Sequence, residues 1–247
     1  MIKDIEYIVK NFIFSEAYLL KKRLKRAINK SYEKELNFIN RFRDPNKNAI
    51  DVGVYRGVYS YKLSKLYKHV YSFEPNSLIF PFLQKNLPKI ISNISLYNYA
   101  LSNESGVARL NIPTRSKSFL KSNYEELYQL GAASIHEKNK FDKFHSIKVE
   151  RKRLDDVLVD KNIGFIKIDV EGHEKEVIAG SKKIINENRP ILLVEIEERH
   201  SKNKVIDTIN YINNLGYLSF FVLNNELVET KNLENFNSIN NFIFKSK

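Results

Sequence analysis

Apolar residues recur along this chain with two different periods, and the change between them marks its organisation. From about Ile5 to Phe42, the residues Ile13, Ala17, Leu20, Leu24, Ala27 and Ile28 return at helical spacing among Lys and Arg, which predicts an amphipathic helix. Asp44-Pro45-Asn46 breaks it. From Asn48 onward, short apolar runs alternate with amphipathic stretches, the pattern of a mostly parallel sheet with covering helices. The expected strands are Ala49 to Val52, Val70 to Phe73, Ser95 to Tyr99, Phe165 to Asp169, Ile191 to Glu195 and Leu218 to Leu223. The expected helices are Tyr59 to Tyr67, Leu78 to Asn86, Glu174 to Asn186 and Lys204 to Leu215, and Asn241 to Phe244 is read as a returning antiparallel edge strand. This predicts an N-terminal helical appendage over 1–46 and an α/β, Rossmann-like domain over 47–247. A polar, strand-poor insertion at about 113–146, carrying Tyr124, Tyr128, Gly131, His136 and His145, exceeds an ordinary connection and reads as cap-like.

Length and composition narrow the possibilities. At 247 residues and 43% hydrophobic content, one ordinary domain with a full core is expected. Lys and Arg number 41 against 29 Asp and Glu, and the formal charge of +12 favours anionic partners without choosing among nucleotides, phosphorylated sugars, RNA or acidic lipid. With no cysteine, disulfides, thiolate nucleophiles and Cys-based zinc sites are excluded. The first residues mix charge with apolar side chains, and no later stretch approaches a transmembrane segment, so a soluble, cytoplasmic protein is expected.

The sharpest local signal is Ala49-Ile50-Asp51-Val52-Gly53-Val54-Tyr55-Arg56-Gly57, an apolar strand running into a Gly-punctuated turn before a helix. Gly53 and Gly57 lack the Cβ that would block a close ligand or a positive φ. The next strand ends in Phe73-Glu74-Pro75, which places Glu74 21 positions after Gly53, the separation at which an acid meets a ribose diol in this architecture. A dinucleotide turn needs a second Gly where this chain has Tyr55, and a phenol there would obstruct a pyrophosphate. S-adenosylmethionine carries no phosphate, tolerates the wider turn, and its cationic sulfonium and amino groups suit a carboxylate such as Asp51.

A second constellation is Ile166-Lys167-Ile168-Asp169-Val170-Glu171-Gly172-His173-Glu174, at the carboxyl end of a predicted strand. Methyl transfer to a hydroxyl is an in-line displacement in which the protein must align the acceptor oxygen and take its proton. His173 is the natural base near neutral pH, with Asp169 or Glu171 orienting it or serving instead. The blander reading of Glu171, Glu174 and Glu176 is favourable charge at a helix start. A third cluster around Glu195 and His200 is a candidate for holding substrate hydroxyls; a divalent metal held there with Asp169 is not favoured.

These pieces, with Tyr99-Ala100-Leu101-Ser102, Arg153-Leu154-Asp155-Asp156 and Leu193-Val194-Glu195-Ile196, resemble the FkbM family of methyltransferases over Ala49 to about His200. The Asp-Val-Glu-Gly-His-Glu run is the most specific of them. The resemblance implies a class I methyltransferase fold, a seven-stranded sheet with a final antiparallel strand, S-adenosylmethionine as donor and S-adenosylhomocysteine as product. It further implies O-methylation of a sugar or polyketide-type hydroxyl, in polysaccharide or natural-product modification. It assigns Asp51, Gly53 and Gly57, beside Tyr55, to the methionine end, Glu74 with Pro75 to the ribose, Asn98 to Ala100 to the adenine, and Asp169 to the transferred methyl. Members often carry Ala-Asn where this chain has Val54-Tyr55.

The expected acceptor is an anionic or nucleotide-linked sugar. An RNA-directed methyltransferase would exploit the charge, yet the Asn or Asp followed by Pro-Pro and an aromatic that marks base-amine methylation is missing at Asp169-Val170-Glu171-Gly172. A non-catalytic RNA-binding protein lacks a basic-aromatic motif here, and a dehydrogenase is disfavoured by Tyr55.

Overall fold

The computed structural model describes residues 14–31, 33–113, 144–159, 161–196, 205–232, 236 and 239–247. Helix α1 (Glu16–Asn29) starts where the Ser15 hydroxyl accepts the Tyr18 N–H at 3.2 Å, with Glu16 in its first turn and Arg26 in its last, each matching the helix dipole. Instead of one helix from Ile5 to Phe42, the chain breaks after Asn29 and resumes as the short α2 (Lys34–Phe38). Leu20 and Leu24 are buried in one cluster with Val54, Tyr61, Ile79, Leu83 and Leu87, while Leu36, Phe38 and Ile39 pack with Ala49 and Phe165.

Strands β1 (Asn48–Val52), β2 (Val70–Phe73) and β3 (Ile94–Tyr97) alternate with α3 (Val58–Leu63) and α4 (Phe80–Asn86). After β4 (Ala100–Leu101) the chain makes β5 (Gly106–Pro113) and β6 (Phe144–Lys152), which pair antiparallel. Then follow α5 (Leu154–Val157), β7 (Ile163–Ile168), α6 (Glu174–Ala179), α7 (Lys182–Asn188), β8 (Ile191–Glu195), α8 (Val205–Asn213), β9 (Tyr217–Leu223), β10 (Glu226–Glu229) and β11 (Asn241–Ser246). The main sheet runs β10-β9-β11-β8-β7-β1-β2-β3, and a second sheet runs β4-β6-β5. The strands β1, β2, β3, β7 and β8 are mutually parallel, and β11 runs antiparallel between β8 and β9.

The main sheet therefore has eight strands and not the expected seven, because the chain doubles back at Asn224 and Asn225, both with positive φ, and adds β10 beside β9. Nor is the last strand an edge. Phe242, Ile243 and Phe244 are fully buried in the middle of the sheet, which is why three consecutive apolar residues stand there without a polar alternation. The expected single helix from Glu174 to Asn186 is split at Gly180 and Ser181, where a Cβ on Gly180 would lie 1.9 Å from the Ser102 carbonyl oxygen. Most of the insertion, residues 114–143, lies outside the described residues; its ends are the paired strands β5 and β6.

The order of connection reverses between β1 and β7, which are neighbours although β2 to β6 intervene in sequence. In open α/β sheets this switch point opens a crevice at the carboxyl ends of the strands. Because β11 locks the sheet from its interior, Phe244→Ala is expected to cost about 3–5 kcal/mol in urea unfolding. A cost below about 1 kcal/mol would show that β11 is not part of the cooperative core.

Candidate active site

One cleft lies at this switch point, lined by Gly53, Tyr55, Phe73, Glu74, Pro75, Ile79, Tyr99, Ala100, Leu101, Leu110, Asp169, Val170, Glu171 and His173 among others. Its floor is the junction of β1 and β7. Asp169 N–H donates to the Val52 carbonyl at 3.0 Å, and the backbones come so close that a Cβ on Gly53 would sit 1.9 Å from the Asp169 carbonyl oxygen. Gly53 also has φ 84°, so its lack of a side chain is needed twice over. Tyr55 takes φ 47°, and Gly57, at φ 80°, caps α3 where an added Cβ would lie 3.0 Å from the Leu87 side chain.

Glu74 sits at the back of the cleft, 6% exposed. Its Oε2 accepts the Tyr55 N–H at 2.8 Å and its Oε1 accepts the Asn76 N–H at 2.9 Å, so the glycine turn and the tip of β2 are tied through one carboxylate. Each oxygen keeps a second lone pair for a further donor. Burial pushes Glu74 up to about 7, against the lowering effect of those two amides. Beside it, the buried side-chain nitrogen of Asn76 has no hydrogen-bond partner among the described residues. Asn98 stands one layer back, donating to the Glu74 carbonyl at 2.8 Å and the Pro75 carbonyl at 3.2 Å. Phe73 and Tyr97 stack at 4.9 Å beneath Tyr99, giving the cleft an aromatic wall.

Asp51 does not line the cleft. It lies fully buried, where Oδ2 accepts from the Ser60 hydroxyl at 2.5 Å and Oδ1 has no hydrogen-bond partner among the described residues. Burial raises it to about 6, against the opposing pull of Lys167.

The acidic run turns sharply after β7, with Glu171 at φ 54° and Gly172 at φ 101°. Gly172 N–H donates to Glu174 Oε1 at 2.8 Å, and burial lifts Glu174 to about 7. That turn brings Asp169, Glu171 and His173 to the cleft together, as their spacing predicted. Asp169 Oδ2 accepts from the Lys167 ammonium at 2.7 Å. His173 Nε2 lies 2.9 Å from the Ser102 hydroxyl, and its Nδ1 lies 3.6 Å from Glu176 Oε2. Ser102 is fully buried, and nothing local in the sequence marks it, because its contact with His173 depends on the tertiary approach of the β4 end to α6. Glu195 is absent from the cleft lining and acts on Lys167 and Tyr59 instead, and His200 lies outside the described residues. Among the described residues there is no group of three or more metal-ligating side chains, and no helix long and apolar enough to cross a membrane.

The sequence matches the Methyltransferase FkbM domain over residues 51–219. No curated protein matches it. Among solved structures, a methyltransferase FkbM from Methylobacillus flagellatus KT aligns with TM-score 0.50 and 16% identity, covering 81% of this chain and 44% of that one. The present chain thus spans less than half of that relative. An rRNA methylase from Streptococcus thermophilus aligns at TM-score 0.47 and 12% identity, covering 86% and 95% of the two chains. A Streptococcus mutans chain solved in complex with SAH aligns at TM-score 0.46 and 13% identity, covering 85% and 93%.

Two outcomes follow from this geometry. Gly53→Ala is expected to cost about 2–4 kcal/mol in chemical denaturation, since backbone must move at a positive-φ position; a neutral change would mean the β1 and β7 tips are not in contact. The raised carboxyls Asp51, Glu74 and Glu174 bind protons more tightly folded than unfolded. Stability from these groups is therefore complete below about pH 4 and lost as pH rises to about 7. The ligand-free melting temperature should fall between pH 5 and pH 8 at constant ionic strength, and Glu74→Gln should flatten that fall; a rising profile would contradict the burial of these groups.

Proposed function

The chain belongs to the FkbM methyltransferase family, and from this premise we propose that it is an S-adenosylmethionine-dependent O-methyltransferase acting on a hydroxyl of an anionic or nucleotide-linked sugar. The observation that carries the reading is the shared cleft of the glycine turn, Glu74 and Asp169 at the switch point of the sheet. Its residues fit the donor: a buried carboxylate with lone pairs to spare, a buried amide nitrogen of Asn76 without a partner among the described residues, and an aromatic and aliphatic wall for a purine. Glu74 takes the ribose hydroxyls, Pro75, Ile79 and Ala100 flank the adenine, and Gly53 with Tyr55 borders the methionine end.

Bound there, S-adenosylmethionine supplies a methyl already activated by its sulfonium. The chain has then to hold the acceptor oxygen in line and receive its proton. Both ring nitrogens of His173 face protein groups, Ser102 on one side and Glu176 on the other, whereas Asp169 is held through a single oxygen and is 31% exposed at the cleft. We assign Asp169 the proton-accepting position and His173 the shaping of the acceptor side. Asp51 supports the turn from below through Ser60 and Lys167 without touching the donor. The formal charge of +12 supports an anionic acceptor.

The test is calorimetric titration with S-adenosylmethionine and S-adenosylhomocysteine, followed by a screen of sugar nucleotides with labelled donor. Glu74→Ala should weaken donor binding by about a hundredfold, the size of losing paired hydrogen bonds to a charged group. An unaltered dissociation constant removes Glu74 from the ribose. With an acceptor found, Asp169→Asn should abolish turnover and His173→Gln only reduce it; the reverse order would give the base role to His173.

A further inference from the structure

Lys167 is the most unusual residue of the sheet. It stands near the carboxyl end of β7, in register between Asp51 of β1 and Leu193 of β8, and its side chain is 3% exposed. A buried ammonium costs several kcal/mol of lost hydration, recovered only where partners replace water. Its partners here are specific. The Nζ donates to Asp169 Oδ2 at 2.7 Å and lies 4.8 Å from the centre of the Tyr59 ring, while Asp51 and Glu195 act on it through space. Tyr59 is itself fixed, its hydroxyl donating to Glu33 Oε2 at 2.7 Å. Asp51, the buried acid nearby, takes its hydrogen bond from Ser60, and its Oδ1 has none among the described residues. The ammonium is thus directed to the cleft carboxylate in preference to the buried one.

We propose that Lys167 is a positioning residue for sulfonium recognition: by holding one oxygen of Asp169 from its buried position two residues earlier in the chain, it fixes the carboxylate in the orientation that discriminates the cationic donor from its neutral product. This rests on the donor reading above. Lys167 touches neither ligand and acts only through Asp169. A purely structural lysine would be equally well explained by packing against Tyr59, so the test has to separate the two.

S-adenosylmethionine carries a positive sulfur and S-adenosylhomocysteine a neutral one, so the difference between their affinities reads the field at that atom. In titration calorimetry, Lys167→Met should lower affinity for S-adenosylmethionine by about tenfold, as for a displaced charge-assisted hydrogen bond, with the demethylated product changed by less than about threefold. Asp169→Asn should give a similar selective loss, and the double variant should lose no more than Asp169→Asn alone. Equal losses for both ligands, additive losses in the double variant, or tighter donor binding by Lys167→Met would each overturn the proposal. If the methionine variant fails to fold, Lys167→Arg carries the test, because it keeps the charge but displaces the donor atoms. It should show the same selective loss at smaller size, and selectivity identical to the unmodified chain would mean that charge alone suffices. Uptake of neither ligand by the unmodified chain would instead refute the donor reading itself.

Discussion

The cleft exists because two strand tips that are more than a hundred residues apart in sequence meet without side chains between them. Gly53 lies against the Asp169 carbonyl, and the Asp169 amide is bound to Val52. The glycine turn and the acidic run are therefore two sides of one backbone contact. Any side chain at position 53 would part them, and with them the floor of the site. Glu74 extends the same logic to a third strand, since its carboxylate binds the Tyr55 amide in the turn and the Asn76 amide beyond β2. Three segments are thus joined by backbone amides before any ligand is considered.

That construction concentrates acids where the core should be apolar. Asp51, Glu74 and Glu174 are all under 10% exposed, and burial raises each of them. Such carboxyls weaken the fold near neutral pH, and a protein selected for stability alone would carry apolar residues there. Of the three, Glu74 lines the cleft, while Asp51 and Glu174 lie behind it and serve the turns that shape it. Lys167 offsets part of the cost at Asp51 permanently.

Much of this was legible in the amino-acid pattern. Val70–Phe73 and Ile191–Glu195 match their predicted bounds, because buried parallel strands are short continuous apolar runs with sharp polar ends. The turn, Glu74 and the Asp169 run were legible for a related reason, since a polar residue ending an apolar strand stands out. What escaped notice depends on partners distant in sequence. Strands β5 and β6 pair across some thirty intervening residues, and neither has an apolar run of its own. The run Phe242-Ile243-Phe244 signals a strand covered on both faces, but its place between β8 and β9 is set by pairings distant in sequence. Lys167 looked like one charge in a charged motif; its burial shows only when β1, β8 and α3 close around it. The Gly180 break carried a signal, a glycine inside a helical pattern, but its cause is the carbonyl of Ser102 far upstream.

The two sheets divide the cleft between them. The main sheet contributes Gly53, Phe73, Glu74 and Asp169, the groups suited to the donor, while the small sheet contributes Ala100, Leu101 and Leu110. The small sheet hangs on the two residues of β4 and on the β5 and β6 hairpin, and its own core of Leu110, Ile112, Val149 and Ala100 is a cluster separate from those of the main sheet. Leu101 of β4 nevertheless packs in the main-sheet cluster with Phe73, Ile168 and Val177, so the two walls share one fixed edge. His173 reinforces that edge, since it immediately precedes α6 on the main sheet and its Nε2 lies 2.9 Å from the hydroxyl of Ser102, the residue that follows β4.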